Sequence, residues 1–346
     1  GLVFNLLSGG VVSMPMGMVI GVVSILAYTL FGGMWSVAVT DFIQMIILVL
    51  GLAILAVFAG QQAGGADKVI ALAVSQDMFK FWPEPNFHDV VFFIASAITI
   101  MLGSIPQQDV FQRVMSANSV KAATHGPVIG GLCYILFAFV PMFLVVSALI
   151  IMPEQAQALI QDDPQKVLPT LVMEKMPFVM QILFFGALLS AIKSCASATL
   201  LAPSVTFTEN IWRQFHPHRS DRQELRAMRV TVLVFSLLVL AYAIFMQGSS
   251  IYEMVSGAYQ VTLVGAFVPL SFGLYWKKAT TQGALFAIVL GLLTWMLLLL
   301  TPAGEVFPAQ LAGVLASLMG MLIGSLGPQA IRNQHGSHHK LVGVAG

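Results

Sequence analysis

Between Pro177 and Gln214 the chain reads PFVMQILFFGALLSAIKSCASATLLAPSVTFTENIWRQ, about thirty residues of it apolar or small. At 1.5 Å of rise per residue, roughly 20 residues cross the hydrocarbon of a bilayer, so this stretch has length to spare. A surface helix of a soluble domain keeps one polar face, and this one has none. Its interior carries Ser190, Lys193, Ser194, Cys195, Ser197 and Thr199, spaced by Ala191, Ala196 and Ala198. Hydroxyls at that depth are explained by tight helix packing and bonds to their own i−4 carbonyls. Lys193 is not, because an ammonium near the midplane costs about 2.5 to 3.5 kcal/mol even on the mildest insertion scale. Protein or water must solvate it.

The rest of the chain agrees with this reading. Charged residues are 9% of the sequence and hydrophobic ones 58%, where soluble domains run near 25% charged. The chain is therefore expected to be an all-α polytopic membrane protein, embedded in a lipid bilayer. The net charge of +1 and the scatter of the basic residues give no nucleic-acid face. Cys133 and Cys195 both fall in apolar runs, which suits small buried hydrophobes better than a disulfide framework or a metal motif.

Apolar runs of about 18 residues or more predict nine spans, near 13–31, 36–59, 90–108, 123–150, 178–207, 227–246, 255–276, 281–300 and 307–326. The first and third are the weakest, and a turn at Gly32-Gly33 separates the first from the second. With that turn placed inside, eleven of the sixteen Lys and Arg residues fall on the inner side and four on the outer, Lys193 being buried. The positive-inside rule then puts the C-terminus in the cytoplasm, and the chain is expected to be a multi-pass protein of the cell membrane. Residues 1–326 read as one transmembrane domain and 327–346 as a disordered cytoplasmic tail. Two outer loops, 60–89 and 151–177, contain patterns of short amphipathic helices, either connectors or lids. His216 and His218 flank Pro217 in a basic loop, and further histidines cluster in the tail; both are weak metal signals beside a solvated reading.

No soluble-enzyme motif is present: no GxGxxG after a strand, no P-loop, no HExxH and no GxSxG elbow. The chain is read as a non-enzyme without a cofactor. Ionisable residues within or beside the spans are few, namely Asp41, Asp109, Lys193, Glu209 and Glu253. Three pieces look like polar or broken membrane helix. Ala191, Ser194 and Cys195 lie at i, i+3 and i+4 and share a face, so a carbonyl and two side chains there suit a hard monovalent cation. A thiol is a poor ligand for such an ion. GSIPQQDVFQR sets Gly103, Ser104 and Pro106 before Gln107 and Gln108; proline unsettles the preceding turn, and discontinuous helices are where transporters place solute groups. A simple kink at Pro106 is the plainer alternative. SGAYQVTLVGAFVP sets Tyr259, Gln260 and Thr262 above a hinge from Gly265 to Pro269, a solute pocket or an interfacial anchor.

At these residues the sequence resembles the sodium:solute symporter family, which includes carriers of proline, pantothenate, sugars and sialic acid. YTLFGGMWSVAVTDFIQ (28–44), GSIPQQDVFQRVMSANS (103–119), GALLSAIKSCASATLLAPS with TENIW (186–212) and FVPLSFGLYWKKATTQGALFAIVLG (267–291) carry the likeness. The resemblance implies a leucine-transporter-like fold of two inverted five-helix repeats. The spans here would be core helices four to ten and two accessory helices, the first core helices lying upstream of Gly1. It places sodium-binding groups on the Ala191 carbonyl, Ser194 and Cys195, where the family usually has Ser or Thr at the last two. Lys193 stands where an apolar residue is usual, so it either flanks a working sodium site or supplies its own charge in place of the ion. Solute contacts fall near Ile100, Ser104, Gln107, Gln108 and Tyr259, while Asp41, Pro106 and Arg113 take gate or structural roles. The expectation is a sodium-coupled symporter of a small organic solute, of amino acid, carboxylate or sugar type, working by alternating access. A proton-coupled or uncoupled carrier on the same scaffold and a non-transporting membrane solute sensor are the alternatives.

Overall fold

The computed structural model describes residues 1–216 and 220–331, and for Tyr28, residues 31–37 and Asp109 the backbone alone. Among the described residues the regular elements are all helical. They are α1 (Leu2–Leu7), α2 (Met14–Gln62), α3 (Ala66–Ser75), α4 (Phe87–Gly103), α5 (Gln108–Met115), α6 (Val120–Ile151), α7 (Pro153–Asp162) and α8 (Val167–Lys175). After these come α9 (Phe178–Thr206), α10 (Arg213–Phe215), α11 (Asp221–Phe245), α12 (Ile251–Thr262), α13 (Val268–Tyr275), α14 (Thr281–Leu299), α15 (Ala303–Val306) and α16 (Ala309–Leu326). Two π-helical segments, Phe207–Trp212 and Leu263–Phe267, join α9 to α10 and α12 to α13.

Seven helical stretches are long and apolar enough to cross a membrane: Ala38–Gln62, Val120–Ile151, Phe178–Phe215, Asp221–Phe245, Ile251–Tyr275, Thr281–Leu299 and Ala309–Leu326. They match seven of the nine expected spans. The one expected at 90–108 needs correction, since Phe87–Gly103 is apolar but shorter. The one expected at 13–31 lies within α2, where Tyr28 and residues 31–37 are described by their backbone alone. The turn expected at Gly32-Gly33 is not made, since α2 is one helix of 49 residues. No proline interrupts residues 28–40, and a helical glycine costs only about 1 kcal/mol relative to alanine. At about 74 Å the whole of α2 exceeds twice the hydrocarbon thickness, so it is not a single crossing from end to end.

The span expected at 90–108 stops early for a local reason. In a continuing helix the Gly103 carbonyl would accept from the Gln107 amide. Instead Gln107 N–H donates to Ser104 O at 3.2 Å, and Gly103 O accepts from Thr262 Oγ1 at 2.7 Å. Pro106 has no amide to offer. The chain therefore turns and restarts as α5.

The described chain divides into two compact units, residues 1–79 with 111–250, and residues 80–110 with 251–331. In the first, Leu55 and Ala59 of α2 pack with Leu144 and Ala148 of α6, Leu171 and Val172 of α8, and Phe184 and Phe185 of α9. The segment after α6, expected near the membrane interface, is thus partly core: Leu171 and Val172 are fully buried. Gln181 of α9 ties it down by donating to the carbonyls of Met173 and Met176, both at 3.0 Å.

The second unit is organised by α14 and α16, which pack antiparallel along small residues. A Cβ on Gly320 would stand 2.6 Å from Phe286 O, and one on Gly324 would stand 2.8 Å from Gly283 Cα. Where lipid replaces water, helices associate through such close van der Waals fit and not through apolar burial. Leu263, Val264 and Val268 fill the core beside them, with Ala287, Val314 and Met321.

Candidate functional site

The functional residues expected from the sequence separate into two sets, one in each unit. In the first unit, α2 and α9 run antiparallel and close together; a Cβ on Gly51 would lie 3.7 Å from both Ala187 Cβ and Leu183 O. That contact brings Asp41 of α2 opposite Ser194 of α9. Ser194 Oγ donates to Asp41 Oδ1 at 2.5 Å, and Arg113 Nη2 donates to Asp41 Oδ2 at 2.7 Å. The carboxylate is mostly buried, at 19% exposed, whereas Arg113 is 49% exposed. Charge-assisted bonds of this type are shorter and stronger than neutral ones. Sequence reasoning gave Asp41 and Arg113 a gate role and Ser194 an ion role; in the structure they are one constellation.

Helix geometry places further oxygen atoms on the same turn of α9. Ser197, buried, donates to Ser194 O at 3.0 Å, and Thr199 donates to Cys195 O at 2.8 Å. The Asp41 carboxylate and the Ser194 hydroxyl are hard oxygen groups of the kind that suits a small hard cation. Ser197 went unassigned in the sequence reading, although its i+3 spacing from Ser194 was a usable signal. Ala191 and Lys193 are half-buried, and Cys195 is exposed with a free thiol. Of the three expected ion ligands, Ser194 is the one that bonds to the carboxylate, and Cys195 is the next residue along the helix.

The second set surrounds the crossing of α4 and α12. Gly103 lets the two helices touch, since a Cβ there would stand 2.4 Å from Tyr259 O. Thr262 Oγ1 donates to Gly103 O and lies 3.0 Å from Tyr259 O, and Gln107 Nε2 reaches Thr262 Oγ1 at 3.5 Å. Gln260 accepts from Trp295 Nε1 of α14 at 2.9 Å, a partner the sequence did not reveal. Of the expected solute residues, Gln107 and Tyr259 stand at this crossing. Ser104 donates to Met101 O at 3.2 Å, while Ile100 and Gln108 are exposed. Pro106 is half-buried in the turn between α4 and α5.

The hinge expected from Gly265 to Pro269 overlaps the π-helical segment Leu263–Phe267 and runs into the start of α13. Such segments are frequent at functional sites because they free backbone groups and let a helix bend. Val264 O here abuts α14 at Gly291, where a Cβ would come within 2.3 Å. Of the weak metal signals, His216 stacks on Trp212 with ring centroids 4.6 Å apart. Pro217, His218 and the tail histidines lie outside the described residues, and so does nearly all of the tail expected at 327–346. The side chain of Asp109 is likewise outside.

A family model for the sodium:solute symporter family matches residues 4–291. The chain belongs to the sodium:solute symporter family. As a member, it is similar to the high affinity choline transporter 1 of Homo sapiens, 29% identical over 298 residues, which cover 81% of this chain and 49% of that protein. It is also similar to the high-affinity proline transporter PutP of Bacillus subtilis (strain 168), 28% identical over 334 residues, 95% of this chain and 68% of the relative. Sodium/myo-inositol cotransporter 2 of Bos taurus is 23% identical over 312 residues, 80% of this chain and 46% of the relative. This symporter-family chain thus spans about half the length of most of these relatives. Among solved structures, a Na+-coupled sialic acid symporter in a substrate-bound outward-open state has a similar fold, with a TM-score of 0.71 at 19% identity. That likeness covers 90% of this chain and 66% of the other.

Proposed function

We propose that the chain belongs to a sodium-coupled symporter for a small organic solute. The observation that carries this is the Asp41 constellation. A mostly buried carboxylate meets a hydroxyl of the membrane-length helix α9 and, on its other oxygen, an arginine. Two cations then compete for one carboxylate. A sodium ion drawn to Asp41 and Ser194 weakens the hold of Arg113, and the arginine restores neutrality when the ion leaves. This supports alternating access, because a ligand moves a two-state equilibrium only through its different affinity for the two states. The family's inverted-repeat core, with residues 1–326 forming part of one transporter domain, belongs to the same proposal.

The solute is proposed to bind near the α4–α12 crossing, with Gln107 and Tyr259 as its polar and aromatic contacts and Ile100, Ser104 and Gln108 around them. The relatives' names point to amino acids, polyols or quaternary amines. The C-terminus is proposed to be cytoplasmic. If α4 crosses the membrane, the Lys and Arg residues divide eleven to four; if it does not, they divide thirteen to two, and the C-terminal end lies on the richer side both times.

Uptake of labelled proline, choline and myo-inositol by the full-length protein in proteoliposomes, with and without a sodium gradient, tests the proposal. Sodium-driven uptake of at least one is expected, with loss in Asp41→Asn. Sodium-independent uptake would favour the second reading, coupling to protons or none, which the half-buried Lys193 beside Ser194 supports. Lys193→Met separates the two, since a lysine that replaces the ion makes wild type indifferent to sodium and the variant responsive.

A further inference from the structure

Within the first unit, the π-helical segment that ends α9 and the first turns of α11 enclose a groove of about 760 Å³, well inside the roughly 300 to 1,000 Å³ in which proteins hold small ligands. Phe207, Trp212 and His216 form one wall, the last two with stacked rings. Arg226, Val230 and Val234 form the other, at i, i+4 and i+8 on one face of α11. The groove is polarised along its length. Arg226 lines it one turn into α11, and Val234 lies about 12 Å further along the helix toward the middle of the span.

The arginines around it are not equivalent. Arg213 is held by Glu209 at 2.7 Å, and Arg229 donates to Leu30 O at 3.1 Å. Among the described residues Arg222 and Arg226 make no ion pair, and only Arg226 of these two lines the groove. A guanidinium over an apolar slot, at the end of a membrane-length helix, complements an amphiphile with an anionic head. We propose that the groove is a binding site for an anionic phospholipid, its phosphate on Arg226 and one acyl chain lying along Val230 and Val234 against Phe207. The stacked Trp212 and His216 are side chains of the kind that interfacial aromatics use at headgroup level. The assignment is independent of which ion drives transport.

Native mass spectrometry of the full-length protein, released from micelles with equal phosphatidylglycerol and phosphatidylcholine, tests it. Phosphatidylglycerol is expected to be retained preferentially. Arg226→Gln should reduce that preference about fivefold, the value of one basic residue at a membrane surface, while Arg226→Lys keeps it. Val230→Trp, which fills the slot, should lower retention of both lipids. Arg222→Gln, outside the groove, should change nothing. A photo-crosslinking residue at Val234 should label lipid. Equal retention of the two lipids, an Arg222 effect as large as that of Arg226, or crosslinks to polypeptide alone would each overturn the proposal. The last would show that another part of the full-length protein fills the groove.

Discussion

Asp41 shows how much one side chain decides. It accepts from a neutral hydroxyl and from a guanidinium, one on each carboxylate oxygen. Replacing it with Asn removes the charge and leaves Arg113 without its partner. Because the guanidinium is about half exposed, the stability loss is expected to be modest, about 1 to 2 kcal/mol after solvent screening. Sodium stimulation of uptake should be abolished all the same. Ser194→Ala deletes one hydrogen bond, for about 1 kcal/mol, and is expected to raise the sodium concentration for half-maximal uptake at least several-fold. Cys195→Ser is expected to leave that concentration within about twofold, since it is Ser194 that bonds to the carboxylate; titrating uptake against sodium compares all three. A shift in Cys195→Ser as large as in Ser194→Ala would support the ligand role that the family resemblance implies for Cys195.

Among the elements, the π-helical join of α12 and α13 depends on what faces it. Val264 is fully buried, and its carbonyl rests on the backbone of α14 at Gly291, leaving no room for a methyl group. Gly291→Ala should therefore destabilise by about 1 to 3 kcal/mol through overpacking. Gly131→Ala, where nothing lies within 4 Å of the added Cβ, should be neutral or stabilise by up to about 1 kcal/mol. Thermal unfolding of both variants in the same detergent checks the contrast, and an unshifted midpoint for Gly291→Ala would remove the proposed fit. Helix starts follow local chemistry more simply. Ser119 caps α6 and Thr280 caps α14 by accepting amide hydrogens, and Ser220 with Gln223 makes a capping box at α11.

At the scale of the whole molecule, membrane orientation is the property most open to test. Single cysteines introduced at Arg222 and Lys166, in a background lacking Cys133 and Cys195, are expected to lie on opposite sides. An impermeant maleimide added to intact cells should label the one at 166 and spare the one at 222 until the membrane is permeabilised. Labelling of both, or of 222 alone, would reverse the assignment. Much of this level is legible in the sequence, because apolar length and loop charge are summed over many residues and tolerate local error. The parts that sequence patterns misjudge are short and local: Gly32-Gly33, which does not break α2, and the Gly103 to Pro106 stretch, where the helix stops a few residues sooner.

The sequence alone determined that this chain is helical, lives in a bilayer, belongs with the sodium:solute symporters and carries its polar groups on a few identifiable turns. Those properties follow from hydrocarbon thickness, rise per residue and the cost of burying charge, and each is read along the chain. Tertiary structure decided which of the polar groups meet. Asp41 and Ser194 are 153 residues apart and Gln107 and Thr262 are 155 apart, and no periodicity connects positions so distant. Small residues such as Gly51 and Gly103 set those meetings by letting two backbones approach, and a glycine carries no mark in the sequence of what will lie against it.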